Sequence, residues 1–142
     1  MALEYEGWTA LKEAAKIIRK RENWCQGWQA LDAENRQIRA TDPEAVRFCL
    51  TGAISKVVFD GAPRLPDGGV DSDDETYNRR CAMANAAKEH MTPFIGGCRD
   101  VWEFNDNSPH MSVVHAVTKA IAVAGVRLAV NSTAKKETKN AE

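Results

Sequence analysis

The sequence predicts a mainly α-helical domain with a minor β component: about four helices packed layer on layer, with a short β-hairpin after the first. Three observations carry this prediction. Apolar residues recur at helical spacing in four separate segments. The stretch 23–38 instead alternates loosely across a polar turn. At 142 residues and 44% hydrophobic, the chain holds enough apolar side chain for one core rather than two.

The first helix is expected over residues 9–21. Leu11, Ala14, Ala15 and Ile18 make one apolar stripe, Lys12, Lys16, Arg19 and Lys20 make the wet face, and Thr9 is the candidate cap. Two strands follow, one from Asn23 to Leu31 and one from Arg36 to Arg39, joined by Asp32-Ala33-Glu34-Asn35. Trp24 and Trp28 read as core or hinge packing, because an indole is costly to expose and its N–H needs a partner when buried.

The second helix is expected to start at Thr41 or Asp42, with Pro43 in its first turn and Glu44 against the dipole. Val46, Cys49, Leu50, Ala53, Ile54, Val57 and Val58 give it a wide apolar face, which makes it the predicted centre of the core. Gly52 inside it points to a close neighbour. The glycines and prolines of residues 60–71 predict a loop, and Ser72 with Glu75 forms a capping box for a third helix. The acidic residues Asp71, Asp73, Asp74 and Glu75 lack the spacing of a calcium loop and suit a helix N-terminus.

The third helix carries Tyr77, Cys81, Ala84, Ala87 and Met91, stops at Thr92-Pro93, and is expected at the periphery. After Gly96-Gly97, residues Val101, Trp102 and Phe104 read as a short extended segment. The last helix begins at Ser108-Pro109, buries Val113, Val114, Val117, Ala120, Ile121 and Ala124, and kinks or ends near Gly125. Residues 1–130 are thus expected to form one globular domain, and residues 131–142, with no apolar anchor, a disordered tail.

A net charge of −1, from 19 basic and 20 acidic residues, gives no global field toward nucleic acid or membrane. The acidic start is unlike a secretory signal, and the longest apolar stretch, 113–130, is broken by His115, Lys119 and Arg127. A cytoplasmic location, reduced cysteines and no membrane or nucleic-acid partner are therefore expected. Cys49 and Cys81 read as buried small hydrophobes.

The densest polar cluster is Asn105-Asp106-Asn107-Ser108-Pro109-His110, flanked by Trp102 and Phe104, at the mouth of the last helix. Helix N-termini bind anions, so Asn105, Asp106, Ser108, His110, Trp102 and Gln26 are candidate ligand-binding residues. The same residue types are what a turn and N-cap require, so a purely structural role stands beside the ligand site. Cys25 is a candidate nucleophile with His110 or His115 as base and Asn105 or Asp106 as orienting group. No cysteine or histidine pair has metal-ligand spacing, His115 reads as a core-edge residue, and no metal or cofactor is expected.

The ordered series Trp24-Cys25-Gln26-Gly27, Cys49-Leu50-Thr51-Gly52-Ala53-Ile54, Trp102-Glu103-Phe104-Asn105-Asp106 and a last helix with Val113, Lys119, Ala120 and Ile121 resembles a small domain family of bacteria and their phages, known only as a domain of unknown function. The resemblance implies no activity. It implies that Cys25-Gln26-Gly27, Cys49, Gly52, Ala53 and Asn105-Asp106 are the positions to follow. A longer stretch between Phe59 and Trp102, and Trp28 after the glycine, depart from the pattern.

The reading that follows is a non-enzymatic binding or regulatory module acting through a protein partner, with homo-oligomerisation through the valine-rich last helix open. The alternative is a small-ligand site for a phosphate or nucleotide-like anion, or a cysteine-dependent hydrolase, built from Cys25, Asn105, Asp106 and His110.

Overall fold

Helix α1 (Ala2–Ile18) is the element on which three of the other helices pack, in a computed structural model that describes residues 2–60 and 73–141, with side chains described to Ala134. Its stripe of Ala10, Leu11, Ala14, Ala15 and Ile18 is buried as the periodicity predicts. The helix starts seven residues earlier than Thr9, because residues 2–8 also find partners. Gly7 is buried, so close to Ala86 that a Cβ there would sit 2.7 Å from the Ala86 Cβ. Trp8 Nε1 donates to the Ile121 carbonyl at 2.9 Å, and its ring lies against Gly125.

A 3-10 turn (Arg21–Asn23) leads into the sheet. Strand β1 (Ala30–Leu31) pairs antiparallel with β2 (Gln37–Ile38), which is the expected hairpin in shorter form. Asp32 holds its turn: Oδ1 accepts from the Glu34 and Arg36 N–H groups at 2.9 and 2.8 Å, and Oδ2 from Arg36 Nε at 2.8 Å. The Arg36 N–H, foremost, keeps this carboxyl below its ordinary range.

A third strand, β3 (Arg47–Phe48), lies on the other side of β1, giving the order β2-β1-β3. Its residues were expected in the second helix. Asp-Pro-Glu is a signature of a β-turn as well as of a helix start, and here the turn wins. Asp42 Oδ1 accepts from Glu44 N–H at 2.9 Å, the Ala45 N–H closes onto the Asp42 carbonyl at 3.0 Å, and the Val46 N–H pairs with the Leu31 carbonyl at 2.9 Å. Helix α2 (Leu50–Val58) therefore begins later, capped by Cys49, whose Sγ accepts from the Gly52 N–H at 3.2 Å.

Residues 61–72, which contain most of the expected loop and Ser72 of the expected capping box, lie outside the described residues. Helix α3 (Asp74–Met91) is capped by Asp73, which accepts from the Thr76 N–H at 2.8 Å. It is not peripheral. Ala84, Ala86, Ala87 and Met91 are buried, and the small side chains let it run antiparallel to α1 at close range. His90, also buried, ties three helices together. Its Nε2 donates to the Glu4 carbonyl at 2.9 Å, and its Nδ1 accepts from Arg127, whose guanidinium has only donors, at 3.1 Å.

The segment expected to be extended is helix α4 (Val101–Asn107). Asp100 accepts from the Glu103 N–H at 2.9 Å while Glu103 Oε2 reaches back to the Arg99 N–H at 3.1 Å, a reciprocal cap that starts a helix. Helix α5 (His110–Ala141) buries Val113, Val117, Ala120 and Ala124 and runs antiparallel to α1. It passes Gly125 without ending and stays helical over residues 131–141, where the sequence reading stopped it. The described residues thus form five α-helices, with α1 rather than α2 at the centre.

Candidate functional site

Asn105 is wholly buried in the last turn of α4, and its amide uses its full hydrogen-bonding capacity. Oδ1 accepts from Trp24 Nε1 at 2.7 Å and from the Leu50 N–H at 3.0 Å. Nδ2 donates to the Cys25 carbonyl at 3.1 Å and to Asp106 Oδ1 at 3.2 Å. The Leu50 N–H is one of the orphan donors of the first turn of α2. Asn105 is therefore a helix cap, but for α2 across the fold rather than for the adjoining α5.

The neighbouring candidates complete the same clamp. Asp106 Oδ1 also accepts from the Gly27 N–H at 2.9 Å, where φ is +84° and only glycine sits without strain. Gln26 Nε2 donates to the Asn105 and Ser108 carbonyls at 3.1 and 2.9 Å. His110 is buried against the Trp24 ring, centroids 5.2 Å apart, and its Nε2 donates to the Ile18 carbonyl at 2.6 Å. The clamp fastens the 24–27 segment, the start of α2 and the α4–α5 junction to one another.

Cys25 joins this cluster. Its thiol donates to the Trp28 carbonyl at 3.5 Å, and burial, with the Asp106 charge adding, pushes its pKa up to about 11. Burial pushes the Cys49 thiol up to about 12. At neutral pH both are thiols, and a nucleophile requires the thiolate. Cys81, expected in the core, is half-buried, and His115, expected at the core edge, is exposed. Among the described residues no three His, Cys, Asp or Glu side chains gather as a metal site would need.

Gln26 is exposed with its amide bonded into the clamp, whereas Trp102 turns outward. It is 40% exposed, and Trp28, expected in the core, is 48% exposed. Both line one cleft of about 410 Å³ with Gln29, Gln37, Ile38, Arg39 and Asp42. The clamp positions both indoles from behind, since Trp28 follows Gly27 and Trp102 precedes Asn105 by less than a helical turn. Among the described residues, the Gln37 amide and Asp42 Oδ2 make no hydrogen bond, so both can serve a ligand. Sequence reasoning missed Trp28, Gln37, Arg39 and Asp42. The only signal was a tryptophan set directly after a glycine of a tight turn.

By length and mean hydropathy (1.7), His110–Ala134 is one helix that could cross a membrane, although its inner face packs on α1. Residues 8–123 match the model of a family of unknown function (DUF6197). The chain matches no curated protein and no solved structure.

Proposed function

Because the chain belongs to this family of unknown function, which brings no activity with it, we propose from the geometry alone that it is a non-enzymatic binding module. Its site is the cleft shared by Trp28 and Trp102, and its ligand a small planar, nucleotide-like molecule. One observation carries the reading: two tryptophans about half exposed line the same cleft beside an amide and a carboxylate oxygen with no partner among the described residues. Indoles stack on the flat faces of heterocyclic bases, and amide and carboxylate groups bond their polar edges. The volume of about 410 Å³ is within the range of small-molecule sites. Catalysis is the weaker reading, since the polar groups that would drive it are bonded within the clamp.

The test is titration of the four common ribonucleosides and their 5′-monophosphates, followed by tryptophan fluorescence and thermal shift. A ligand at about 100 times its dissociation constant stabilises the fold by roughly 2.7 kcal/mol. Trp28→Ala and Trp102→Ala are each expected to weaken binding by about 1–3 kcal/mol, the usual worth of base–aromatic stacking. Saturating titrations that move neither signal, or binding untouched by both substitutions, would sink the reading.

A second reading takes a protein partner, a second copy of this chain. Val123, Val126 and Val130 on α5 are 51%, 66% and 59% exposed, spaced by three and four residues on one face beside exposed Ala122 and Ala129. Exposed apolar residues on one helix face can meet the same face of a second copy, as an isologous dimer requires, with Lys119 and Arg127 bordering them. Light scattering is expected to give a dimer mass that Val126→Glu returns to monomer. A monomer mass at every concentration would overturn it.

A further inference from the structure

We infer that the tryptophan cleft selects guanine among the common bases, with the Asp42 carboxylate reading the edge that carries its N–H donors; this rests on the reading of the cleft given above. Stacking on an indole is nearly indifferent to which base is stacked, since every base has a π-face. Selection therefore has to come from the polar groups of the same cleft. Two of these are left unused by the fold: the Gln37 amide and Oδ2 of Asp42, neither of which has a hydrogen-bond partner among the described residues.

The carboxylate is held in place rather than free to turn. Its Oδ1 accepts from the Glu44 N–H at 2.9 Å. The backbone around it is closed by the Asp42 N–H onto the Arg39 carbonyl and the Ala45 N–H onto the Asp42 carbonyl, each at 3.0 Å. One oxygen is thus anchored with a lone pair to spare, and the other keeps both of its own. The rest of the wall is also fixed. Gln37 sits in β2, in register with Leu31 across the hairpin, and Gln29 Oε1 accepts from the Ala40 N–H at 3.0 Å. An ionised carboxylate only accepts, so its best partner on a flat ring is two neighbouring N–H donors, one for each oxygen.

Of the common bases, guanine alone offers that pair. Its N1–H and its exocyclic amine stand side by side, and a carboxylate takes a charge-assisted bond from each. Adenine sets its amine between two ring-nitrogen acceptors, and cytosine sets its amine beside one. Each gives the carboxylate one bond and one facing lone pair, which is a buried acceptor left unpaired. Uracil has a single N–H between two carbonyl oxygens. The Gln37 amide carries both donors and an acceptor, so it can bond the edge of any base and does not itself choose. The choice falls to Asp42.

The test is calorimetry on the full chain with the 5′-monophosphates of guanosine, inosine, adenosine and uridine, which share one phosphate and differ in the base. The guanosine compound is expected to bind about tenfold tighter than the inosine compound, which lacks only the exocyclic amine and so loses one charge-assisted bond. The adenosine and uridine compounds should bind more weakly still. Asp42→Asn keeps the turn, since asparagine makes the same side-chain bond to the backbone, but it replaces an acceptor with a donor. It is expected to erase the preference for guanine while the adenosine compound binds no more weakly than before. Trp28→Ala is expected to weaken all of the compounds alike. Equal affinities, or a preference for another base, with binding still dependent on Trp28, overturn the guanine assignment and leave the cleft standing. A guanine preference that survives Asp42→Asn overturns it as well. Binding of none of the compounds, or binding indifferent to Trp28→Ala, overturns the cleft itself and the inference with it.

Discussion

Replacing Asn105 with alanine removes one side chain and orphans several groups at once. The Trp24 indole N–H, the Leu50 N–H and the Cys25 carbonyl each lose a partner within 3.1 Å, at a residue with no solvent exposure. An unmade hydrogen bond at a buried group costs about 1–3 kcal/mol. Summing three such losses overstates the result, because groups in one network are not additive and a water can enter the space left by the amide. We expect about 3–5 kcal/mol, a large share of the 5–15 kcal/mol typical of a domain. The assay is urea unfolding followed by circular dichroism, with the midpoint falling at unchanged slope. Asn105→Asp discriminates further. It keeps the acceptor for Trp24 and Leu50 but sets an oxygen against the Cys25 carbonyl and Asp106, both acceptors. It should therefore destabilise at least as much at neutral pH. A loss below about 1 kcal/mol for Asn105→Ala, or an aspartate variant as stable as wild type, would refute the assignment of Asn105 as the hub.

Four other outcomes follow from the same structure. Gly52→Ala would place a Cβ 2.0 Å from the Gln29 carbonyl oxygen, a backbone atom already bonded to the Cys49 N–H; a loss of about 3 kcal/mol or more is expected in urea unfolding, and a loss under 1 kcal/mol would contradict the close approach. In the native protein at pH 8 a thiol reagent should modify Cys81 and Cys98 well before the buried Cys25 and Cys49, which become reactive on unfolding. Since folding raises the latter two from the ordinary 9.0 to about 11 and 12, their contribution is intact below pH 9 and is lost as pH climbs through those values, so unfolding free energy should decline above pH 9. Asp32 has the opposite sign: its folded pKa lies below 3.8, so its contribution holds above 3.8 and disappears as pH falls through the lower folded value, and Asp32→Asn should flatten that acid limb of the stability profile.

What the sequence made legible was what local periodicity governs. The stripe of α1, the Ala84, Ala87 and Met91 positions of α3 and Val113, Val117, Ala120 and Ala124 of α5 could be read because 3.6-residue spacing is a property of the segment alone, whereas Tyr77, expected on the same α3 stripe, is 47% exposed. Where α2 begins could not, because that is decided by the pairing of Val46 with Leu31 and by a cap 55 residues away. Helix α4 was misread for a related reason: Val101 and Asn105, four apart, are its buried face, and Asn105 reads as a surface residue until Trp24, 81 residues distant, is placed beside it. The polar cluster before α5 was visible as residues but not as a direction. Asn105 and His110 point inward, and the outward-facing indoles are Trp102 and Trp28, whose exposure is a tertiary fact.

The family match over residues 8–123 ends where the packing ends. Ala124 is the last fully packed residue of α5, and none of the described side chains after it is buried. Every bond of the Asn105 clamp lies inside that span, and so does the tryptophan cleft, whereas the His90–Arg127 contact and the exposed Val126 and Val130 involve residues beyond it. The clamp and the cleft are thus one construction. Gly27, bonded to Asp106, sets where Trp28 emerges; Asn105 fixes the helix that carries Trp102; and Gln29, pressed on Gly52, walls the cleft. A polar hub of this cost gains only modest net stability from bonds it exchanges with water. Its larger effect is to hold exposed side chains at fixed positions, which is what a preformed site needs and what a core built only from apolar contacts would specify less sharply.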